Sequence, residues 1–270
     1  MKRRDFLTVA GAAGVTSAVL GATAGAAEAP GIERAKQYIE LLTFTVADLD
    51  KKALLIETLD NALIPALNRQ RVRPVGVFYT NATINGGNAD FDLNVFVLAG
   101  YNSSEAFRSS KDNLLTDEEY LRAAAPILEA TSRNPVYTAL KSSLFYGFDE
   151  CPAIEVPTLA PSRVLQLRIY RSFNLERNAA KVHMFDVGGE LPLFRKVNMH
   201  PVFFGTALAG DQMPNLSFIL SFEDNEARLA AWDAFRTSPE WEAMKDLPMY
   251  ADTATEITNV LLKPSKGSQI

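Results

Sequence analysis

The sequence predicts an α+β protein in which one βαββαβ unit occurs twice. Two proline-containing segments, Leu63–Arg69 and Glu190–Lys196, have similar patterns and begin 127 residues apart. Nine residues after each proline, a Pro-Val pair opens an apolar run, Pro74–Phe78 in the first copy and Pro201–Phe204 in the second. Residues 150–162, between the copies, hold three prolines, which disfavour both helices and sheets. The repeat and the linker together indicate two similar halves.

Signals in the second copy follow the order strand, helix, strand, strand, helix, strand. Its first strand alternates apolar side chains with larger polar or aromatic ones over 165–170, and this period of two is typical of a strand. A helix is expected from Asn174, a favourable N-cap residue, to Gly188-Gly189. The other predicted elements are strands at 202–207 and 216–222, a helix from Asp224 or Asn225, a short helix from Ser238-Pro239 to Asp246, and a strand at 256–262.

The first copy shows the same order over residues 36–149. It carries an extra segment near 114–131, where a capping signal at Thr116 predicts an added helix. The second copy covers 163–264, and residues 150–162 form the linker. The βαββαβ order defines a split-βαβ, ferredoxin-like unit. Because helices would cover only one face of each four-stranded sheet, we expect the two sheets to pack face to face, as in a dimeric α/β barrel but within one chain.

Residues 1–27 are predicted to be an export signal. The segment Arg3–Leu7 resembles the twin-arginine motif, and a weakly apolar stretch diluted by glycine follows over 9–22. Small residues then place the cleavage site just after Ala26 or Ala27. The alternative is an N-terminal membrane anchor, which so short a stretch disfavours. We therefore expect a periplasmic or otherwise exported protein that folds before transport and has no membrane segment once the signal is removed.

Composition argues against several functions. The formal net charge is −5, and nucleic-acid binding is not expected because phosphate contacts need grouped lysines and arginines. Cys151 is the one cysteine, which excludes an intrachain disulfide and argues against a cysteine-based zinc site. Two histidines, His183 and His200, without a haem-attachment motif argue against haem. No cofactor or metal is indicated by the residues present.

Several segments resemble bacterial NIPSNAP-family proteins. In the second half they are Leu165–Tyr170, Lys181–Phe185, His200–Gly205, Met213–Leu216 and Ser238–Trp241, while the first half is similar more loosely. The resemblance extends over nearly all of the chain that follows the predicted signal. It implies the fold of the dimeric α/β-barrel superfamily, but it implies no reaction because no agreed set of catalytic residues comes with the family.

The first strand of each copy carries the candidate site residues. Leu165, Leu167 and Ile169 are expected to face the helices, which would leave the alternate side chains in the barrel interior: Gln166, Arg168, Tyr170 and Glu40. Buried charges need partners. Arg168 and Glu40 therefore either have a structural role, as an ion pair or at the barrel mouth, or line a pocket that orients a polar or anionic ligand. Arg168 corresponds to a leucine in the first copy, so any role of this arginine has no counterpart in that copy.

Two other groups of residues have competing interpretations. His200 lies before a proline near the rim of the predicted sheet, where it could act as a base or ligand, or belong to a loop without function. Trp232 and Trp241 have the spacing of core residues.

Two functions are compatible with these residues. The favoured one is a binding or accessory protein, whose barrel holds a small apolar or aromatic molecule or whose edges join partner chains, including a second copy. The alternative is a cofactor-independent monooxygenase-like enzyme acting on a small aromatic substrate. Its pocket would need polar groups beside an aromatic wall, and the candidates are Gln166, Arg168, Tyr170 and His200. No acid–base pair stands out, which favours binding.

Overall fold

The computed structural model describes residues 35–270, so the export signal predicted at residues 1–27 lies outside the described residues. Eight strands occur in this part: β1 (Tyr38–Thr45), β2 (Val75–Tyr79), β3 (Asn94–Tyr101), β4 (Ala139–Gly147), β5 (Val164–Arg171), β6 (His200–Ala209), β7 (Asn215–Phe222) and β8 (Glu256–Pro264). No described helix is long and apolar enough to cross a membrane.

Nine α-helices accompany these strands in the described part of the chain. They are α1 (Leu49–Thr58), α2 (Ile64–Arg69), α3 (Ser104–Thr116), α4 (Glu118–Ala123), α5 (Ala125–Leu128), α6 (Leu175–Phe185), α7 (Glu190–Lys196), α8 (Asn225–Arg236) and α9 (Pro239–Lys245). A π-helical turn, Leu59–Leu63, joins α1 to α2.

All eight strands form one closed antiparallel barrel in the order β1-β3-β2-β8-β5-β7-β6-β4. The prediction of a mixed α/β fold with a barrel is therefore confirmed. Each half contributes four neighbouring strands, and within each half the fourth strand lies beside the first and the third lies between the first and second. The halves also pair edge to edge, at β2–β8 and β4–β6. The prediction of packed sheets did not include this edge pairing, which leaves no strand of the barrel unpaired.

Capping residues set the helix boundaries as the sequence indicates. The side chains of Asn174, Asp224 and Ser238 accept the backbone N–H groups that begin α6, α8 and α9. Three helices differ from prediction. The extra segment forms two short helices, the first capped by Asp117 instead of Thr116, and Glu190–Lys196 is a helix that strand and helix signals alone did not assign.

The predicted orientation of the first strands is wrong. Leu165 and Leu167 pack in the barrel interior, in one cluster with Leu41 of the other half. Tyr170 instead packs against Phe185 of α6. The side chains expected inside the barrel therefore face the helices: Gln166, Arg168, Tyr170 and Glu40. The physical reason is that both faces of each strand are buried, so a period of two separates the faces without saying which one lies inward.

The junction between β2 and β8 is closed by groups outside the strands. The ladder itself comprises two residue pairs, Phe78 with Pro264 and Tyr79 with Lys263. On one side of it the C-terminal tail pairs with β2, where Gln269 donates its N–H to the Val75 carbonyl and accepts the Val75 N–H with its side chain. On the other side Asn85 bonds the β8 backbone with its side-chain amide. The barrel therefore closes at this junction largely through side-chain and tail hydrogen bonds.

Replacing Asn85 by alanine is expected to weaken this junction. Its Oδ1 accepts the Leu261 N–H at 2.8 Å and its Nδ2 donates to the Leu261 carbonyl at 3.1 Å. Losing these two bonds, together with those that Nδ2 donates to the Thr80 hydroxyl and the Asn81 carbonyl, should lower the free energy of unfolding by about 1–3 kcal/mol, measured by urea denaturation. Thr83→Ala, at an exposed position of the same turn, provides the control. Equal stability of the two variants would contradict this role for Asn85.

Candidate functional site

A cavity of about 530 Å³ lies between the barrel wall and the helices of the second half. We call it the charged cavity because five ionisable side chains other than tyrosine line it: Arg168, Lys181, Glu190, Arg228 and Arg236. Four aromatic side chains complete the wall: Tyr170, Trp232, Phe235 and Trp241. Pockets of this size and mixed lining are typical of small-molecule sites.

Lys181 and Glu190 bring opposite charges into the protein interior. Lys181 is 7% exposed and Glu190 is 3% exposed, and Nζ lies 3.8 Å from Oε2. This distance is too long for a hydrogen bond, and Oε2 of Glu190 has no other partner among the described residues. Burial raises the pKa of Glu190 to about 7 although Lys181 and Arg168 oppose the shift. Burial likewise lowers the pKa of Lys181 against the attraction of Glu190.

Arg168 is held between aromatic rings. The centre of its guanidinium lies 4.7 Å from the ring centroid of Trp232 and 5.2 Å from that of Tyr170. Its Nε is buried and makes no hydrogen bond to a described residue. Lys181 contacts the same tyrosine ring at 5.3 Å. Cation–π attraction therefore positions two positive charges in the cavity and leaves hydrogen-bonding capacity unused.

Gln166 fixes the aromatic wall. Its Oε1 accepts the indole N–H of Trp232 at 2.6 Å, and its Nε2 donates to Oδ1 of Asn259 at 2.6 Å. Both of these bonds join β5 to neighbouring elements, α8 and β8. Gln166 is therefore a positioning residue whose amide nitrogen and amide oxygen each bond a protein group.

At the positions that correspond to Arg168, Lys181 and Glu190, the first half of the chain has leucines. The N-caps Asp48 and Asn174 of α1 and α6 are 126 residues apart, an offset that aligns Arg168 with Leu42 and Lys181 with Leu55. The repeated prolines are 127 residues apart, which aligns Glu190 with Leu63. The corresponding cavity in the first half measures only about 50 Å³. The charged cavity is therefore a feature of the second half alone.

The structure brings together three of the predicted site residues and separates the other two. Gln166, Arg168 and Tyr170 all line the charged cavity. Glu40 lies in the first half, so the proposed ion pair with Arg168 is not formed. Its carboxylate contacts Lys111 at 3.1 Å and accepts hydrogen bonds from two hydroxyl groups of the first half, those of Ser142 and Tyr101.

His200 is the other separated residue. It begins β6 opposite Ser221 of β7, and it is not among the residues that line the charged cavity. Cys151, the one cysteine, is fully buried, and burial raises the pKa of its thiol to about 12. Neither residue therefore supplies a nucleophile or base to the charged cavity.

Lys181 and Glu190 are the functional candidates that sequence reasoning missed. Each lies on a helix among residues that look like ordinary packing positions, and their contact joins two different helices, α6 and α7. Comparing the halves position by position would have found them, because a buried leucine in one copy corresponds to a charge in the other. Trp232 and Trp241, predicted as core, also line the cavity.

Other parts of the described chain offer less chemistry. A surface cavity of about 720 Å³ lies beside Asp60, but that carboxylate already accepts bonds from the Ser265 hydroxyl and the Gly267 N–H. No cluster of three or more His, Cys, Asp or Glu residues that could hold a metal ion occurs among the described residues. The charged cavity therefore has the most unused polar groups of the cavities described.

Solved structures define the class of protein to which this fold corresponds. A candidate monooxygenase from Lactobacillus acidophilus NCFM is 11% identical, with 85% of this chain and 94% of that chain covered and a TM-score of 0.55. A second candidate monooxygenase, from Fusobacterium nucleatum, is 10% identical over 85% and 93% with a TM-score of 0.56. An anthrone oxidase-like protein is 12% identical over 85% and 92% with a TM-score of 0.52. These similarities show a mixed α/β protein with the dimeric α/β-barrel fold.

The second half of the chain is similar to a known sequence family. The NIPSNAP family model matches residues 165–269, the part of the chain that contains the charged cavity. No curated protein sequence is significantly similar to the chain.

Proposed function

We propose that the chain binds a small aromatic molecule with an acidic group in the charged cavity. One observation carries this proposal: two buried charges, Lys181 and Glu190, and the half-buried Arg168 lie among aromatic rings where the first half has leucines. Buried charges are costly, and apolar replacements of similar size are often more stable. The first half forms the same fold with leucines at the three corresponding positions, so the stability of the fold does not require these charges. A ligand-binding role accounts for their presence in the second half.

The balance of charges favours an anion. Arg168 and Lys181 are both cationic, and Glu190 is the one acidic residue in the lining. At the rim, Arg228 and Arg236 contact side chains of their own helix, at Asn225 and Asp233 respectively. A carboxylate on the ligand would offer acceptors to the unused Nε of Arg168, and an aromatic body would stack on Trp232 or Trp241.

Binding of 2-naphthoate is expected to weaken as the pH rises through about 7. Below this value Glu190 is protonated and the remaining charges inside the cavity are those of Arg168 and Lys181, whereas above it the carboxylate repels the ligand. Because Glu190 is shielded from solvent, this repulsion is expected to be worth about tenfold in affinity between pH 6 and pH 8, measured by calorimetry. The Glu190→Gln variant should show little pH dependence, and exposed Glu57→Gln is the control. An unchanged pH profile in Glu190→Gln would argue against the proposal.

A second function is supported by the position of Glu190. A carboxylate with a pKa near 7 beside aromatic rings suits general-base catalysis. Cofactor-independent oxygenation of an electron-rich aromatic ketone such as anthrone could begin with proton removal by Glu190. A methylene then becomes a carbonyl, with one atom of O₂ in the product and the other in water. Oxygen uptake on addition of anthrone distinguishes this enzyme from a binding protein, which consumes none.

The remaining organisation of the chain is also proposed. Residues 36–149 and 163–264 are taken as tandem ferredoxin-like copies joined by the linker at 150–162, supported by the equal strand order of the two halves. Export through the twin-arginine pathway is proposed from residues 1–27 alone. A ligand of the charged cavity would then be met outside the cytoplasm.

A further inference from the structure

The barrel is packed at one end and hollow at the other. Leu165, Phe203, Leu262 and Ile270 are fully buried in one cluster that fills the first end. At the other end lies a cavity of about 320 Å³, which we call the barrel cavity. Its lining comes from strands of both halves, so it exists only because the two halves form one barrel.

The barrel cavity and the charged cavity lie on opposite sides of the same strands. On β5, Leu167 and Ile169 face the barrel cavity, whereas Arg168 between them faces the charged cavity. On β8, Thr258 faces the first and Ile257 the second. The barrel wall therefore separates the two cavities, and a ligand in one does not reach the lining of the other.

The lining of the barrel cavity is suited to a neutral molecule. Its wall is mostly apolar, with aromatic rings from Phe91, Phe96 and Phe145. Lys141 and Asp211 are the two ionisable residues in the described lining, and they pair with each other at 2.7 Å. Since these charges neutralise each other and both side chains are largely exposed, the cavity offers no unpaired charge to an ion.

One polar group in this lining has no partner. The side-chain Oε1 of Gln212 is buried and makes no hydrogen bond to a described residue. Two other polar side chains of the lining are occupied, because Ser217 donates to Asn215 and the Asn215 amide donates to backbone carbonyls. A buried amide oxygen without a partner costs about 1–3 kcal/mol, and a ligand hydroxyl would satisfy it.

We propose that the barrel cavity is a second binding site, for a neutral, mostly apolar molecule with one hydroxyl group, such as a small phenol or alcohol. The apolar body contacts the aromatic wall and the hydroxyl bonds the amide of Gln212. This site goes beyond the function proposed for the charged cavity and does not depend on it, because the two linings share no residue.

The test compares two probes that differ in charge, neutral 2-naphthol and anionic 2-naphthoate. Thr258→Trp narrows the barrel cavity and should weaken 2-naphthol binding at least tenfold while 2-naphthoate binding is unchanged. Its neighbour on the same strand gives the matched control: Ile257→Trp should weaken 2-naphthoate binding and leave 2-naphthol binding unchanged. Affinities are measured by fluorescence titration, and folding by circular dichroism.

If Thr258→Trp does not fold, a third variant still tests whether 2-naphthol binds in the barrel cavity. Gln212→Leu changes a residue between β6 and β7 and removes the amide at nearly constant volume. It should weaken 2-naphthol binding about five- to tenfold, the equivalent of one hydrogen bond. Unchanged affinity in this variant would overturn the proposal.

Three other results would also count against the barrel cavity. One is no measurable binding of 2-naphthol to the unaltered protein. The second is unchanged binding of 2-naphthol by folded Thr258→Trp. The third is loss of 2-naphthol binding in Ile257→Trp, which would place the neutral probe in the charged cavity. Binding of 2-naphthol without any binding of 2-naphthoate would refute the function proposed for the charged cavity and leave the barrel cavity supported.

Discussion

Replacing Arg168, Lys181 and Glu190 together by leucine is expected to raise the free energy of unfolding by about 1–4 kcal/mol and to abolish 2-naphthoate binding. The first half of the protein already has leucine at the three corresponding positions. Removing all three charges leaves no unpaired buried ion. The desolvation cost of the three side chains is then removed together with the attractive interactions among them. Denaturant unfolding measures the stability, and calorimetry measures the binding.

A pair of exposed residues provides the control for this triple variant. Glu105 and Arg108 form an ion pair on the surface of α3, and replacing both by leucine should change stability by no more than about 0.5 kcal/mol. Lower stability of the triple variant with retained 2-naphthoate binding would mean that the three charges are structural.

The second large effect is a dependence of stability on pH that comes from Glu190. The folded-state pKa is raised to about 7 from a model-compound value of 4.5. Between these two values the folded protein holds a proton that the unfolded chain has released. The stabilisation is therefore complete below pH 4.5 and is lost as the pH rises through about 7. The loss amounts to about 3 kcal/mol, at about 1.4 kcal/mol for each pKa unit.

Glu190→Gln isolates this contribution because glutamine does not titrate. Over the window from pH 4.5 to 7 the stability of the unaltered protein should fall relative to that of Glu190→Gln by about 3 kcal/mol. The exposed Glu57→Gln variant should follow the unaltered protein throughout. The shift of the Lys181 pKa contributes with the opposite sign, since that pKa is lowered. Parallel curves for Glu190→Gln and the unaltered protein would show that Glu190 titrates normally.

Local physical chemistry made much of the fold predictable. The side chains of Asn174, Asp224 and Ser238 cap the helices at which they were expected, because capping depends on residues three positions away at most. Strand β7 was placed within one residue of its observed start, because its apolar run is bounded by a turn. The split of the extra segment into α4 and α5 was missed, since two short helices in succession look like one in a periodic pattern.

The candidate site was predictable only in part. Arg168, Gln166 and Tyr170 were identified because a charge and an amide in a buried strand require an explanation. Glu40 lies elsewhere because its inference assumed that polar side chains turn inward, and His200 lies elsewhere because its position near the rim of the sheet did not specify a neighbouring cavity. Lys181 and Glu190 gave no local signal, since their contact joins two helices that are separated by a turn.

The sequence by itself indicated the order of the strands and helices, and it singled out Arg168, which corresponds to a leucine in the first half. Those features depend on short-range patterns and on comparison of one copy with the other. Only the tertiary structure decided which face of each strand lies inside the barrel, because both faces are buried and alternation is symmetric between them. The observed orientation of β5 places Arg168 on the helix side of the barrel wall and not in the barrel interior, and Lys181 and Glu190 complete the charged cavity there.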